Sequence, residues 1–547
     1  MSKDSQYDAI VVGGGHNGLV HAAYLGKAGL KVLLLESRSV VGGATSTEEL
    51  YPGFKFLTVS YLISLLRPQV IRELELPRHG LEIIPLESTV APLDGDYFAD
   101  WPDHDMTRQE IERFSRKDAE SYDEFSATMR RLILAVRPLL DLVPPDPTSL
   151  EAKDIAQMAK VKGTLDRLNK RDLHTLTRLM TMSGADFLDE WFETEPLKAT
   201  KSTSGIIGTF LGPRSPGTGY VLLHHYLGEL NGSPRSWGFA KGGTGGLSQA
   251  IARAARHHGV EIKESSPVQQ IVIKNGRAVG VATTDGTEYY ADRVISAAHA
   301  KQTFLHMVEP HELPEDYLAD IKRWTSRGPS CKVNLALDGL PDFPAIPKDK
   351  RALLRGSIEI APSVNYLEKA YDDAKYGGWS KRPFMDALIP SLLDPGMAPP
   401  GKHVMSLFVQ YADYDLEGGW TEEKKAQFLE VVIDTLSEHS PDLRSKILHK
   451  HINTPDDLEK KFGLSGGHIF HGELSLPQLF FLRPAPQWAG YRTPIQNLWM
   501  CGSSCHPGGC ITGAPGRNAA LELLAEVKKE SGLSTNALDA TLAEVSA

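Results

Sequence analysis

Residues 9–36 read AIVVGGGHNGLVHAAYLGKAGLKVLLLE, and the order of features in this stretch decides the fold. Ile10, Val11 and Val12 form a continuous apolar run, as strands do when both faces of a parallel sheet are covered. Gly13, Gly15 and Gly18 then satisfy G-x-G-x-x-G. The first glycine permits a tight turn, the second lets a pyrophosphate approach the backbone, and the third lets a helix pack closely on the strand. Leu19, Ala22, Ala23 and Leu25 continue at helical spacing until Gly29, and the amides that open such a helix point toward a phosphate. A second strand, KVLLLE, ends in Glu36, about 20 residues past the glycines, where an acid accepts hydrogen bonds from a ribose hydroxyl. Glycine-rich turns alone say little; strand, glycines, helix, strand and acid in this order predict a dinucleotide site in an α/β fold.

Two distant segments have related patterns. Residues 237–250, WGFAKGGTGGLSQA, place an aromatic, Lys241 and four closely spaced glycines before a helix. Short alternating strands follow from Val268 onward, punctuated by Asn275-Gly276 and Asp285-Gly286, which are hairpin signals. Residues 498–520, LWMCGSSCHPGGCITGAPGRNAA, give a short apolar strand, Gly502, a glycine-rich loop, and a helix starting near Gly513 and Ala514.

These three pieces resemble the FAD-dependent proteins of glutathione-reductase-type, Rossmann-like fold. Glu36, Arg38, Gly42 and Gly43 match the E-x-R-x-x-x-G-G run that lies along the flavin in that family. In its second FAD-binding piece, the residue aligned with Val268 sets its backbone against the adenine. The third piece is similar to the THPGG-x-x-x-G-x-PGRN signature of carotenoid-desaturase-like (phytoene-desaturase-like) flavoproteins, with Cys505 in place of the usual Thr. Desaturase and amine oxidase members commonly carry Arg after the two glycines; this chain has Ala44, which removes a cation. GHNGLVHAAYL, AKGGTG, MAPPGKH (397–403) and GGHIFHGELSLPQLFFLRPAP (466–486) resemble the subgroup of desaturase-type beta-carotene ketolases and the pyridine nucleotide-disulfide oxidoreductase domain-containing protein 2 group. The likeness runs to about residue 530.

The resemblance implies bound FAD, cradled by Gly13, Gly15, Gly18, Glu36, Arg38, Gly42, Gly43, Ala44, Val268, Gly502, Gly513 and Ala514. In this scheme the helix beginning near Gly513 faces the pyrimidine end of the flavin and stabilises negative charge there. It also implies hydride removal from an apolar, isoprenoid or carotenoid-like substrate reached from a membrane surface, with oxygen or a quinone as acceptor. Two other functions fit the same residues: a flavin oxidase or dehydrogenase of a small soluble amine, alcohol or aromatic, and a flavoprotein scaffold without catalysis.

At 547 residues the chain exceeds one ordinary core. The expected division is a discontinuous FAD-binding domain of residues 1–85, 237–300 and 481–530, an interleaved α+β substrate domain of 86–236 and 301–480, and a tail, 531–547, that is either frayed or a partner-binding helix. A formal charge of −10 argues against nucleic acid as partner, since phosphate neutralisation needs clustered Lys and Arg. Four cysteines without a CxxC pair support neither a disulfide framework, nor disulfide chemistry, nor zinc. Cys505 and Cys510 could form a redox pair only if their Cα atoms approach within about 7 Å. The opening MSKDSQYDAIVV is not a secretory signal, and no stretch offers the ~20 apolar residues of a membrane span. YLISLLRPQVIREL (61–74) and RRLILAVRPLLDLVPP (130–145) are expected to face the core, with a bilayer-surface role as the alternative. The expected location is cytoplasmic, with peripheral contact at the inner face of a membrane left open, as is a homodimer.

Among polar candidates, His506 lies in the loop nearest the expected flavin. It could orient substrate or move a proton, but without a visible partner the favoured reading is that its imidazole ties down the glycine loop. His468 and His471 alternate on one short stretch but have no third ligand placed by sequence, so no metal is expected. Lys332, in SCKVNLAL, could reach the flavin region, but the expected case is a solvated lysine at a strand end.

Overall fold

The computed structural model of the protein describes residues 6–230, 232–531 and 536–546. The strand Tyr7–Val12 lies inside a parallel array, between Val32–Leu35 and Glu288–Ser296. Glu261–Lys263 extends the array beyond Val32–Leu35, and Leu498–Met500 pairs with the last residues of Glu288–Ser296. One sheet is thus assembled from the beginning, middle and end of the chain. The strands Val268–Lys274 and Arg277–Thr283 continue it as an antiparallel meander. Their turn has Asn275 and Gly276 at φ +53° and +71°, the backbone twist a two-residue hairpin requires. The fold is α/β, as the glycine bend implies.

Close backbone approach holds the three pieces together. A Cβ on Gly18 would lie 2.1 Å from the Gly13 carbonyl oxygen and 2.9 Å from Ala297 Cβ; one on Gly502 would lie 2.4 Å from the Ala297 carbonyl oxygen. The helix His16–Lys27 packs against both Thr244–His257 and Ala514–Ser531. Its contact with the last of these is buried and polar. Arg517 makes a two-pronged ion pair with Glu73 at 2.8 and 2.9 Å, and Tyr24 donates to the same carboxylate.

A second, mixed sheet runs in the order Ile447–Asn453, Ser330–Leu337, His403–Ala412, Trp379–Leu388, Ser357–Ile360, Thr89–Pro92, Tyr97–Asp100. Alternation across the strands separates its two faces. Val333, Leu335, Met385, Ile358 and Leu407 pack with Phe428, Val432 and Leu436 of the helix Glu422–His439. The opposite face carries Lys332, Phe408, Asp386 and Glu359 in register on four neighbouring strands. Helices Arg116–Val136, Glu195–Ile206 and Thr218–Tyr226 lie beside this sheet; Phe125, Met129, Leu132, Leu197 and Leu222 share one of the cores they form.

The apolar stretches 61–74 and 130–145 bury Leu62, Leu65, Leu66, Leu132, Ile133, Leu139 and Leu140, so core packing accounts for them. No helix among the described residues is long and apolar enough to cross a membrane. Within the tail, the helix Asn536–Ser546 docks on the first helix. Leu538 is buried there, and Lys27 Nζ lies 2.7 Å from Glu544 Oε2.

The Gly18 contact generates a prediction. Gly18→Ala forces the first helix off its strand, and the expected loss is about 3 kcal/mol or more, read as a drop in thermal midpoint and soluble yield. A wild-type midpoint would show that this contact is not made.

Candidate functional site

The glycine bend opens onto a cavity of about 640 Å³ that continues to the second sheet. At its outer end the bend is rigid. The Gly13 amide donates to the Leu35 carbonyl (2.8 Å), the Gly42 amide to the Gly14 carbonyl (2.8 Å), and the Gly14 amide to Glu36 Oε2 (2.7 Å). Glu36 also accepts from the Arg38 amide at 2.8 Å. Gly15 leaves open space where a side chain would project, with only the Gly42 carbonyl oxygen at 4.0 Å. Arg38 pairs with Glu48 at 2.6 Å, and its guanidinium lies 4.5 Å from the Phe462 ring centroid.

Gly13, Gly15, Gly18, Glu36, Arg38, Gly42, Gly43, Ala44 and Val268 all line this one cavity. Gly502, Gly513 and Ala514 do not; their neighbours Ser503, Cys510 and Ile511 do. Gly502 is consumed by its contact with Ala297. Gly513 packs on Val70, Leu66 and Val20, because the Arg67 amide donates to the Thr512 carbonyl and draws the 67–73 turn over the helix start.

His506 is placed as the loop-tying residue: it lies off the cavity wall, 3 % exposed, with Nε2 2.8 Å from the Leu139 carbonyl oxygen. Burial lowers its pKa to about 4, so its neutral ring donates to that carbonyl and anchors the loop. Lys332 departs from the expected solvated lysine at a strand end: it is mid-sheet, 2 % exposed and on the cavity wall. Its Nζ makes no hydrogen bond within the chain and lies 4.1 Å from the Tyr61 ring centroid. Burial, offset in part by Asp386, lowers its pKa to about 7.

Around Lys332 are groups that sequence reading missed. Tyr61 donates to Asp386 Oδ2 (2.5 Å), Ser357 donates to the other oxygen, and Glu359 accepts from Thr203 while its Oε2 stays unpartnered. Burial raises the pKa of both carboxyls, and Asp386 pushes Glu359 further. Other polar residues on this face are spent on structure: Asn334 donates to the Leu57 carbonyl and Gln410 to the Ile206 carbonyl. The available signal was polar residues at alternate positions in otherwise apolar strands, as in SCKVNLAL.

His16, His299 and His471 also face the cavity, each with a buried ring nitrogen unpartnered within the chain. Among the described residues no group of three or more His, Cys, Asp or Glu could hold a metal ion. All four cysteines are free thiols.

The profile of the family described as "Flavin containing amine oxidoreductase" matches residues 18–523. The chain belongs to this family. It is an FAD-dependent oxidoreductase of Rossmann-like architecture, the recognition that the glycine signatures suggested. It is 41% identical over 546 residues to rat pyridine nucleotide-disulfide oxidoreductase domain-containing protein 2, covering 96% of this chain and 94% of that one. It is 27% identical to one chain of the limonene dehydrogenase of Castellaniella defragrans, with 95% of each covered. Cyclohexylamine oxidase from Brevibacterium oxydans shares the fold, at TM-score 0.55 and 17% identity over 96% of this chain and 100% of that one.

Burial of neutral histidines sets an acid limit on stability. His16, His21 and His506 are lowered to about 4, and His224, His468 and His471 to about 3, all chiefly by desolvation. The unfolded chain takes up protons near the ordinary histidine value while the folded chain does not, so stability is lost as pH falls below about 6.5. Raised carboxyls such as Glu359 and Asp386 oppose this but are fewer. The thermal midpoint should therefore drop steadily from about pH 7 to about pH 5; a flat profile would mean that these rings are hydrated.

Proposed function

We propose that the protein removes hydride from a C–H bond of a compact, largely apolar substrate of isoprenoid character. The observation that carries this is the continuity of one cavity from the glycine bend to the Lys332–Phe408–Asp386–Glu359 row, past apolar walls that include Leu62, Leu65, Ile207 and Trp237. In this reading Gly13 makes the turn, Gly15 receives the pyrophosphate and Gly18 seats the helix on the strand, while Glu36 receives the ribose and Val268 the adenine. The open space at Gly15 and the unpartnered nitrogen of His16 fit such a group. Bound there, FAD supplies the hydride acceptor. The chain does the positioning: the apolar walls exclude water and hold the reacting carbon, and Lys332 Nζ, with a pKa of about 7, takes up the proton that leaves the substrate.

Size narrows the substrate class. Pockets for drug-sized ligands alone run to roughly 300–1,000 Å³, and here about 640 Å³ has to serve cofactor and substrate together. A terpene-sized molecule suits the remainder better than one of carotenoid length, and limonene in the name of one relative agrees with that size. A second reading, oxidation of a small amine or alcohol, is favoured by the polar row itself.

Two measurements test this. Anaerobic addition of terpene hydrocarbons or alcohols to FAD-loaded protein should bleach the flavin band near about 450 nm, while small soluble amines leave it intact; bleaching by amines alone would favour the second reading. Gly15→Ala should keep the wild-type thermal midpoint of the cofactor-free chain yet weaken FAD binding by about tenfold or more, because its methyl enters the phosphate cradle. Unchanged FAD affinity would move the pyrophosphate elsewhere.

A further inference from the structure

Beside the main cavity is a second, more polar chamber of about 240 Å³, which shares Thr89, Ser204, His225, Trp237 and Glu359 with it as common wall. Lys201, 2 % exposed, lies within it, its Nζ 2.6 Å from Asp100 Oδ2. Arg235 brings a second cation to the same oxygen at 3.0 Å. Two cations share one carboxylate, Lys201 buried and Arg235 28 % exposed, so the chamber has an excess of positive charge that an anion would offset. Burial and the neighbouring Asp386 raise the pKa of Glu359, which weakens it as that anion, and its Oε1 already accepts from Thr203.

The remaining wall offers hydrogen bonds with no taker. Ser88 Oγ, Thr200 Oγ1 and Tyr226 OH are buried and make no hydrogen bond within the chain; their residues are 3 %, 5 % and 3 % exposed. Arg235 has φ +60°, a backbone region that disfavours residues other than glycine. Its guanidinium is fixed 4.5 Å from the Tyr226 ring centroid. Strain of this kind persists only where the surroundings hold a side chain in one place.

We propose that this chamber is an anion subsite for the substrate, taking a single carboxylate at one end of a molecule whose apolar body lies in the main cavity. The excess of one positive charge matches one carboxylate, and the free hydroxyls supply its further hydrogen bonds. The proposal rests on the apolar-substrate reading above and narrows it to a compact apolar acid.

The test is calorimetric titration of the FAD-loaded protein with geranic acid and geraniol, an acid and an alcohol of one terpene skeleton, and with acetate. The acid should bind about tenfold or more tightly than the alcohol, and acetate should bind far more weakly than the acid. Arg235→Gln and, separately, Thr200→Val should bring the acid down toward the alcohol's level with FAD content unchanged. Equal binding of acid and alcohol, or a preference that survives both variants, overturns the subsite. So does acetate binding as tightly as the acid, which would make the chamber a site for a free anion. If the alcohol binds and reduces the flavin while the acid gains nothing, only the subsite falls; if neither terpene binds, the apolar-substrate reading falls with it.

Discussion

Ala297 occupies the point at which the molecule is joined. Its side chain closes on Gly13 and Gly18, and its carbonyl oxygen meets Gly502 where a methyl group would be 2.4 Å away. Three segments, separated by hundreds of residues, touch there through backbone and one methyl group. Such contacts tolerate no side chain, and their reward is a groove whose walls are mostly peptide groups. The parallel pairing of Tyr7–Val12 with Glu288–Ser296, and of that strand with Leu498–Met500, follows from the same closeness. Glu73, from the 67–73 turn, then ties Arg517 of the helix Ala514–Ser531 to Tyr24 of the first helix.

The second sheet completes the cavity by a different device. Its central strands are buried on both sides; one side packs on the helix Glu422–His439, while the other mixes apolar side chains such as Phe384 and Phe408 with polar ones. On the other, register brings Lys332, Phe408, Asp386 and Glu359 into a line. An amine and two carboxyls are thus held where water is scarce, so each is pushed toward its neutral form. Of the three, Lys332 is lowered to about 7, and a group poised there suits the proton transfer that the proposed reaction needs. Asn334 and Gln410 on the same face are used to fasten the sheet to neighbouring segments.

The cofactor half of this arrangement was legible in sequence because its requirement is conformational. Only glycine satisfies the close approach at positions 18 and 502, so the requirement is written in the residues themselves. The glycines at 502 and 513 were legible as turns but not as walls, since Ala297 and Val70 cover them. His506 was legible only as one of two roles, because proximity in sequence to a glycine-rich loop does not reveal which way a ring turns; its partner, the Leu139 carbonyl, is contributed from a distant helix end. Lys332, Asp386 and Glu359 come from three strands whose pairing is tertiary information, and each looks ordinary in its own segment. The chamber around Lys201 draws on still more distant pieces, with Asp100, Arg235 and Glu359 meeting only after the helices and the sheet have packed.

The meeting of three backbone segments at Ala297 shapes the cradle proposed for the flavin. The most direct measurement is the amount of FAD that gently purified, folded protein retains or takes up, read from its visible absorbance and from the flavin released on denaturation. The account predicts one FAD per chain. Folded protein that stays colourless in excess FAD would contradict it.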